Sequence, residues 1–238
     1  MEVLVSITAI LAGIVQGITG FGSGIVMMMI LPHFFALPQS AGISTAICMF
    51  LNMSMVYTYK KHIHFKSVLF PSLCFLCVCS TTIYFSTMFD QILMKKILGV
   101  FFVVLSIYYL FINKGNDRKK LSLPISIIFI VISAICDGLF GIGGPLMVIY
   151  FLSQTHSTHE YLGTIQCFFL INCIYNTCFR VFNGILHLEH LMMIGIGALG
   201  IMLGGFIARQ VVDKLDGTIL RKLTYIMIGL SGIINLIK

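Results

Sequence analysis

Two apolar stretches of this chain, 3–31 and 122–152, carry the same glycine punctuation at matching places. The first reads Gly17-Ile-Thr-Gly20-Phe-Gly22-Ser-Gly24, the second Gly138-Leu-Phe-Gly141-Ile-Gly143-Gly144-Pro145, and Gly17, Gly20 and Gly22 align with Gly138, Gly141 and Gly143 without gaps. Glycine is a poor helix former that admits irregular backbone. At membrane depth such backbone survives only where protein or a water-filled cavity surrounds it. A pair of glycine-interrupted spans in corresponding positions of two halves therefore marks a binding site between them.

The surroundings are membranous. The 238 residues are 58% hydrophobic and 10% charged, with mean hydropathy +1.03. A soluble domain of this size cannot bury that much apolar surface, and the strict alternation of a β-barrel is absent. The fold class is an all-α polytopic membrane protein. Eight apolar segments are expected, roughly 3–31, 41–59, 67–88, 93–112, 122–152, 161–182, 190–210 and 218–237. The most polar connection, Asn113-Lys-Gly-Asn-Asp-Arg-Lys-Lys120, divides the chain into a first transmembrane repeat (1–112), a basic linker (113–121) and a second repeat (122–238). Asp90-Gln-Ile-Leu-Met-Lys-Lys96 parallels Asp216-Gly-Thr-Ile-Leu-Arg-Lys222, as internal duplication requires.

Loop charge bears on orientation. If all eight segments cross, Lys and Arg divide nine against six between the two sides; if each first segment enters and returns, they divide eleven against four. The second division fits the positive-inside rule better. A first segment of about 30 residues would measure roughly 45 Å as one helix, longer than the ~30 Å hydrocarbon core. The first segment of each repeat is thus expected to be glycine-broken or re-entrant, and a re-entrant one makes the repeats inverted, the arrangement that the charge division favours. A long tilted helix accounts for the length as well. The net charge of +7 reads as basic loops against anionic lipid, not as a nucleic-acid surface. The N-terminus lacks a basic region and a cleavage site and reads as the first membrane segment. The eight cysteines lie mostly in apolar stretches and read as small buried hydrophobes.

Candidate chemistry concentrates near the breaks. A helix restarting after a glycine break points unpaired N–H groups and a positive dipole end at its surroundings, an anion site without formal charge. Gly20, Gly22, Gly24, Gly141, Gly143 and Gly144 supply that backbone, and Thr19 and Ser23 add hydroxyls. Close packing by small residues is the competing reading. Asp137 is the acidic residue deepest in an apolar stretch, and Gln16 holds the equivalent place in the first half. A carboxyl there is costly to ionise, so Asp137 is a candidate to carry a coupled proton; alternatively it fixes the helix break by hydrogen bonding. Gln166, Asn172, Asn176 and Thr177 recur at helical spacing, with Asn52 and Ser54 on the equivalent first-half segment. Arg180, toward a segment end, either reaches the interface by snorkelling or attracts an anionic substrate.

An enzyme reading is weaker. Gly22-Ser23-Gly24 has the look of an intramembrane serine nucleophile, which needs a base within reach. All seven histidines fall in predicted connections. His62-x-His64 and His187-x-x-His190 are metal-type spacings with no intramembrane acid or thiol cluster grouped with them, and no cofactor is implied.

Gly20-Phe-Gly-Ser-Gly24, Lys60-Lys-His-Ile63, Gly138-Leu-Phe-Gly-Ile-Gly-Gly-Pro-Leu146, Leu162-Gly-Thr-Ile-Gln-Cys-Phe-Phe-Leu170 and Leu203-Gly-Gly-Phe-Ile-Ala-Arg209 together resemble the sulfite exporter TauE/SafE family, over essentially the whole chain. The resemblance implies a multi-pass carrier of the inner cell membrane that moves sulfite or a small organosulfonate. It departs from the common family pattern at Ser23, which adds a hydroxyl where glycine is frequent, and at Pro145, which removes an N–H. The expected partners are a small anionic substrate, the lipid bilayer, and protons as a coupling ion; a homo-oligomer is compatible with the sequence. A carrier of another small anion such as a carboxylate, a membrane-embedded enzyme, and a structural membrane subunit are the alternatives.

Overall fold

In a computed structural model the described residues are 2–108, 121–211 and isolated positions of the last segment (229, 232, 233 and 236). Among them are nine α-helices: α1 Glu2–Thr19, α2 Ser23–Ile30, α3 Leu37–Tyr59, α4 Phe65–Ser86, α5 Gln91–Ile107, α6 Leu123–Phe140, α7 Gly144–Gln154, α8 Thr158–Phe182 and α9 Leu191–Val211. Six stretches are long and apolar enough to cross a membrane: α1, Leu37–His62, α4, α6, α8 and Leu188–Gln210. The basic linker and most of the expected eighth segment, including Asp216–Lys222, lie outside the described residues.

Each long first segment is two helices. The chain leaves α1 through Gly20 (φ 81°) and Gly22 (φ 101°), and leaves α6 through Gly141 (φ 65°). These left-handed conformations cost glycine little and other residues more, which is why the breaks fall where they do. Elsewhere the helix starts follow local chemistry. Asp90 caps α5 by accepting from Ile92 N and Leu93 N, and Ser157 caps α8 by accepting from Glu160 N. Proline stands in the first turn of α3, α6 and α7, where its missing N–H costs nothing.

At the centre α3 lies against α8. Around that pair, α1 packs on α9 and α4 on α6, while α9 also touches α3 and α4 also touches α8. The α1–α9 contact is backbone-close. A side chain at Gly13 would collide with Ile201 O, and one at Gly204 with Ile10 O. Small residues are what let membrane helices approach so nearly. The buried residues form two clusters, one around α4, α6, α7 and α8, the other around α1, α3 and α9. Of the two short helices after the breaks, α2 contributes to both clusters, with Ile25 and Met28 in the first and Val26 and Met27 in the second, while α7 belongs to the first.

Candidate functional site

The two breaks meet. A Cβ added to Gly24, in the first turn of α2, would stand 2.7 Å from Gly141 O, so only glycine allows the contact. Between the breaks is a small cleft lined by Gly22, Ser23 and Gly24 from the first and by Asp137, Gly141, Gly143 and Gly144 from the second. Its walls come from the middles of the two central helices: Thr45, Cys48 and Asn52 on the 23-residue α3, and Phe169 and Cys173 on the 25-residue α8. The cleft is thus about equally far from both ends of the spans that form it.

An uncharged amide network fixes the first break. Gln16 Nε2 donates to Asn52 Oδ1 at 2.6 Å and to Gln166 Oε1 at 2.9 Å. Gln16 Oε1 accepts from the Ser23 hydroxyl. Gln166 Nε2 in turn donates to Gly20 O at 2.6 Å, satisfying a carbonyl that the break leaves without a helical partner. All of these groups are buried, so each bond replaces one that water would otherwise have to make.

A carboxylate and a guanidinium fix the second. Asp137 Oδ1 accepts from Gly143 N at 3.1 Å, and Oδ2 accepts from Asn176 Nδ2 at 2.6 Å and from Cys79 Sγ at 3.6 Å. Arg180 Nη2 donates to Asp137 O (3.2 Å) and Gly138 O (2.8 Å), and Nη1 to Pro38 O (3.1 Å). The Ser133 hydroxyl donates to Gly143 O. Arg180 is fully buried, and its position corrects the snorkelling reading: the guanidinium turns inward to the carbonyl end of α6, where a positive group is stabilised, and also reaches the first turn of α3 at Pro38 O.

The expected residues separate accordingly. Gly22, Ser23, Gly24, Gly141, Gly143, Gly144 and Asp137 line the cleft. Gly20 stands behind it, against Leu162 and Tyr161. The Thr19 hydroxyl is spent on Val15 O and Phe21 O, and Asn172 Nδ2 on Phe168 O. Gln166 and Arg180 hold the breaks from the side. Ser54 is remote, taking a hydrogen bond from Arg209 Nη2 at 2.8 Å. Two of the cysteines do more than fill the core: Cys48 belongs to the second buried cluster and Cys173 packs against it, and both also line the cleft, with Ser23 Oγ 3.1 Å from Cys48 Sγ and Asn52 Nδ2 3.3 Å from Cys173 Sγ. Thr45, Cys48 and Asn52 share one face of α3, a helical spacing that a scan for polar residues alone would split.

No imidazole approaches Ser23, whose hydrogen-bond partners are Gln16 and Cys48. The histidines pair at helix ends instead. His62 stacks on His159 with ring centroids 5.5 Å apart, His64 Nε2 is 3.3 Å from Glu160 Oε1, and His187 stacks on His190 at 5.9 Å. Among the described residues no three His, Cys, Asp or Glu side chains gather as a metal set.

The family model described as sulfite exporter TauE/SafE matches residues 5–234. A protein of Methanocaldococcus jannaschii described as a probable membrane transporter protein is 26% identical over 164 residues, a stretch covering 63% of this chain and 61% of that relative. The match therefore spans about three-fifths of the relative's length. No solved structure matches the chain.

Proposed function

The chain belongs to the sulfite exporter TauE/SafE family, and on that premise we propose that it is an exporter of small sulfur oxyanions, sulfite or an organosulfonate, in the inner cell membrane. The observation that carries this reading is the cleft between the two glycine breaks, at the mid-length of α3 and α8. A helix start presents N–H groups and a positive dipole end, which suit an anion where a formal cation is too costly. The cleft brings two such starts together.

Alternating access between two inverted repeats is supported by how the walls correspond. Asn52 and Cys173 are 121 residues apart, and the same separation relates Gln16 to Asp137, Gly22 to Gly143, Ser23 to Gly144 and Cys48 to Phe169, all lining residues. The packing is reciprocal too: each half's broken helix pair rests on the other half's later helix, α1 on α9 and α6 on α4. Rocking one half against the other would open the cleft to alternate sides around a fixed site. Asp137 carries a coupled proton in this scheme, with Cys79, Arg180 and Asn176 as the groups that bear on it.

The test is thermal stability of the purified protein in detergent against sulfite, sulfate, thiosulfate, sulfoacetate, acetate and phosphate. A ligand of the folded state raises the melting temperature by mass action. A selective rise with sulfite or sulfoacetate is expected, lost in Gly22→Ala and Gly143→Ala. A rise with acetate alone would point to a carboxylate carrier, and no rise with any anion would overturn the reading.

A further inference from the structure

We propose that a separate, apolar pocket behind the second glycine break seats one acyl chain of a bilayer phospholipid. Residues of α5, α6 and α7 line this pocket, and its surface is almost wholly apolar. Ser133, Ile142 and Pro145 are its buried floor. The hydroxyl in that floor, on Ser133, is already given to Gly143 O, so what the floor offers a guest is carbon surface and dispersion contacts. Val104, Cys136 and Ile149 stand toward the outside, Val104 being 58% exposed and the other two half-exposed.

Depth decides the occupant. Ile142 lines both this pocket and the cleft, so the two are level, at the mid-length of α3 and α8. On the helices that form the pocket, Val100, Ile132 and Ile135 are exposed as well, which turns this side of the molecule to the bilayer. The medium at mid-span is hydrocarbon, with neither water nor head groups. Lipid tails are as apolar as leucine, so packing and not dehydration decides what settles there. A recess left unfilled forfeits the dispersion contacts of its lining, and an entering chain restores them. The first break is backed differently. The residues 121 positions earlier than Ser133, Cys136, Leu146 and Ile149 are Ala12, Val15, Ile25 and Met28, and all four are buried within the protein, whereas Cys136, Leu146 and Ile149 are half-exposed. The first break is thus steadied by protein and the second by a lipid chain resting on Ile142 and Pro145, on either side of Gly143 and Gly144. The seat does not depend on what the cleft carries.

The probe is phosphatidylcholine with one chain dibrominated toward its end, because bromine is an anomalous scatterer. Crystals of the full chain grown in bicelles of this lipid should show bromine peaks in the pocket, against Ile142, Pro145 and Cys136. Peaks confined to the outer surface of the helices, or no peaks at all, overturn the proposal. Native mass spectrometry from detergent counts the phospholipid retained by each chain and gives a second test. Cys136→Phe on α6 and Leu146→Phe on α7 each place a ring in the pocket and should retain one lipid fewer than the unaltered protein. Ile132→Phe, exposed on α6 and outside the pocket, should retain as many. The two filling variants lie on different helices, so failure of one to fold leaves the other, and the bromine experiment needs neither. Equal retention by the filling variants and the unaltered protein overturns the proposal.

Discussion

Arg180 and Asp137 secure opposite edges of the same helix break. The guanidinium of Arg180 donates to the carbonyl of Asp137 at 3.2 Å, closing the end of α6, while the carboxylate of Asp137 takes the N–H of Gly143 at 3.1 Å, opening α7. One residue serves the negative end of a helix dipole and the other the positive end of the next. Their charges compensate across the break without a direct ion pair among the contacts of either side chain.

Replacing Arg180 should therefore unfold the site before it alters specificity. Arg180→Leu strips donors from Pro38 O, Asp137 O and Gly138 O and leaves the Asp137 carboxylate uncompensated. The loss is expected at roughly 3–5 kcal/mol, the scale for breaking a buried charged arrangement on one side. Thermal unfolding in detergent measures it. Arg180→Lys keeps the charge but not the planar fork, and should recover part of the stability.

The contrast between Arg180 and the glycines shows what a sequence makes legible here. Gly20, Gly22 and Gly141 announce their breaks because a left-handed φ leaves almost no other residue free to stand there. The helical class and the broken spans follow from hydropathy and from those glycines. Arg180 was ambiguous because its distance from a segment end says nothing of which carbonyls lie beside it. Gln16 became visible only through its correspondence with Asp137. Cys48 and Cys173 were hidden because a thiol packs equally well against lipid, protein or a polar cleft, and only the register of α3 on α8 decides which.

The glycines of the first turns are not interchangeable. At Gly24 a methyl group would stand 2.7 Å from Gly141 O, whereas at Gly144 the nearest atom is Phe169 Cζ at 3.7 Å. The first is a collision with backbone that cannot yield, the second ordinary contact. Gly24→Ala should abolish uptake of sulfite into proteoliposomes and destabilise the fold by about 1–3 kcal/mol. Gly144→Ala should fold normally and keep most of its activity. Equal losses in both would argue that the breaks do not meet as described.

Two thiols in the cleft allow its occupancy to be read chemically. Cys48 and Cys173 line it, while Cys77 and Cys178 are on the exposed surface. A negatively charged methanethiosulfonate should block transport by forming a mixed disulfide in the cleft, and saturating sulfite should slow that block. The Cys48→Ala, Cys173→Ala double variant should be resistant. Block that persists in the double variant would place the reactive thiol elsewhere.

The pH dependence of transport tests the remaining role of Asp137. Its carboxyl is held by the N–H of Gly143 and the amide of Asn176. A carboxyl held by two donors changes protonation when they move, and opening the cleft to one side would move Gly143, at the start of α7, against Asn176 on α8. If the proton is part of the cycle, sulfite flux in proteoliposomes should respond to an imposed pH gradient, and Asp137→Asn, with no proton to exchange, should carry sulfite at a rate indifferent to that gradient. A variant that keeps the pH response of the unaltered protein would remove Asp137 from the coupling and leave it the structural task already visible, that of holding α7 to the end of α6.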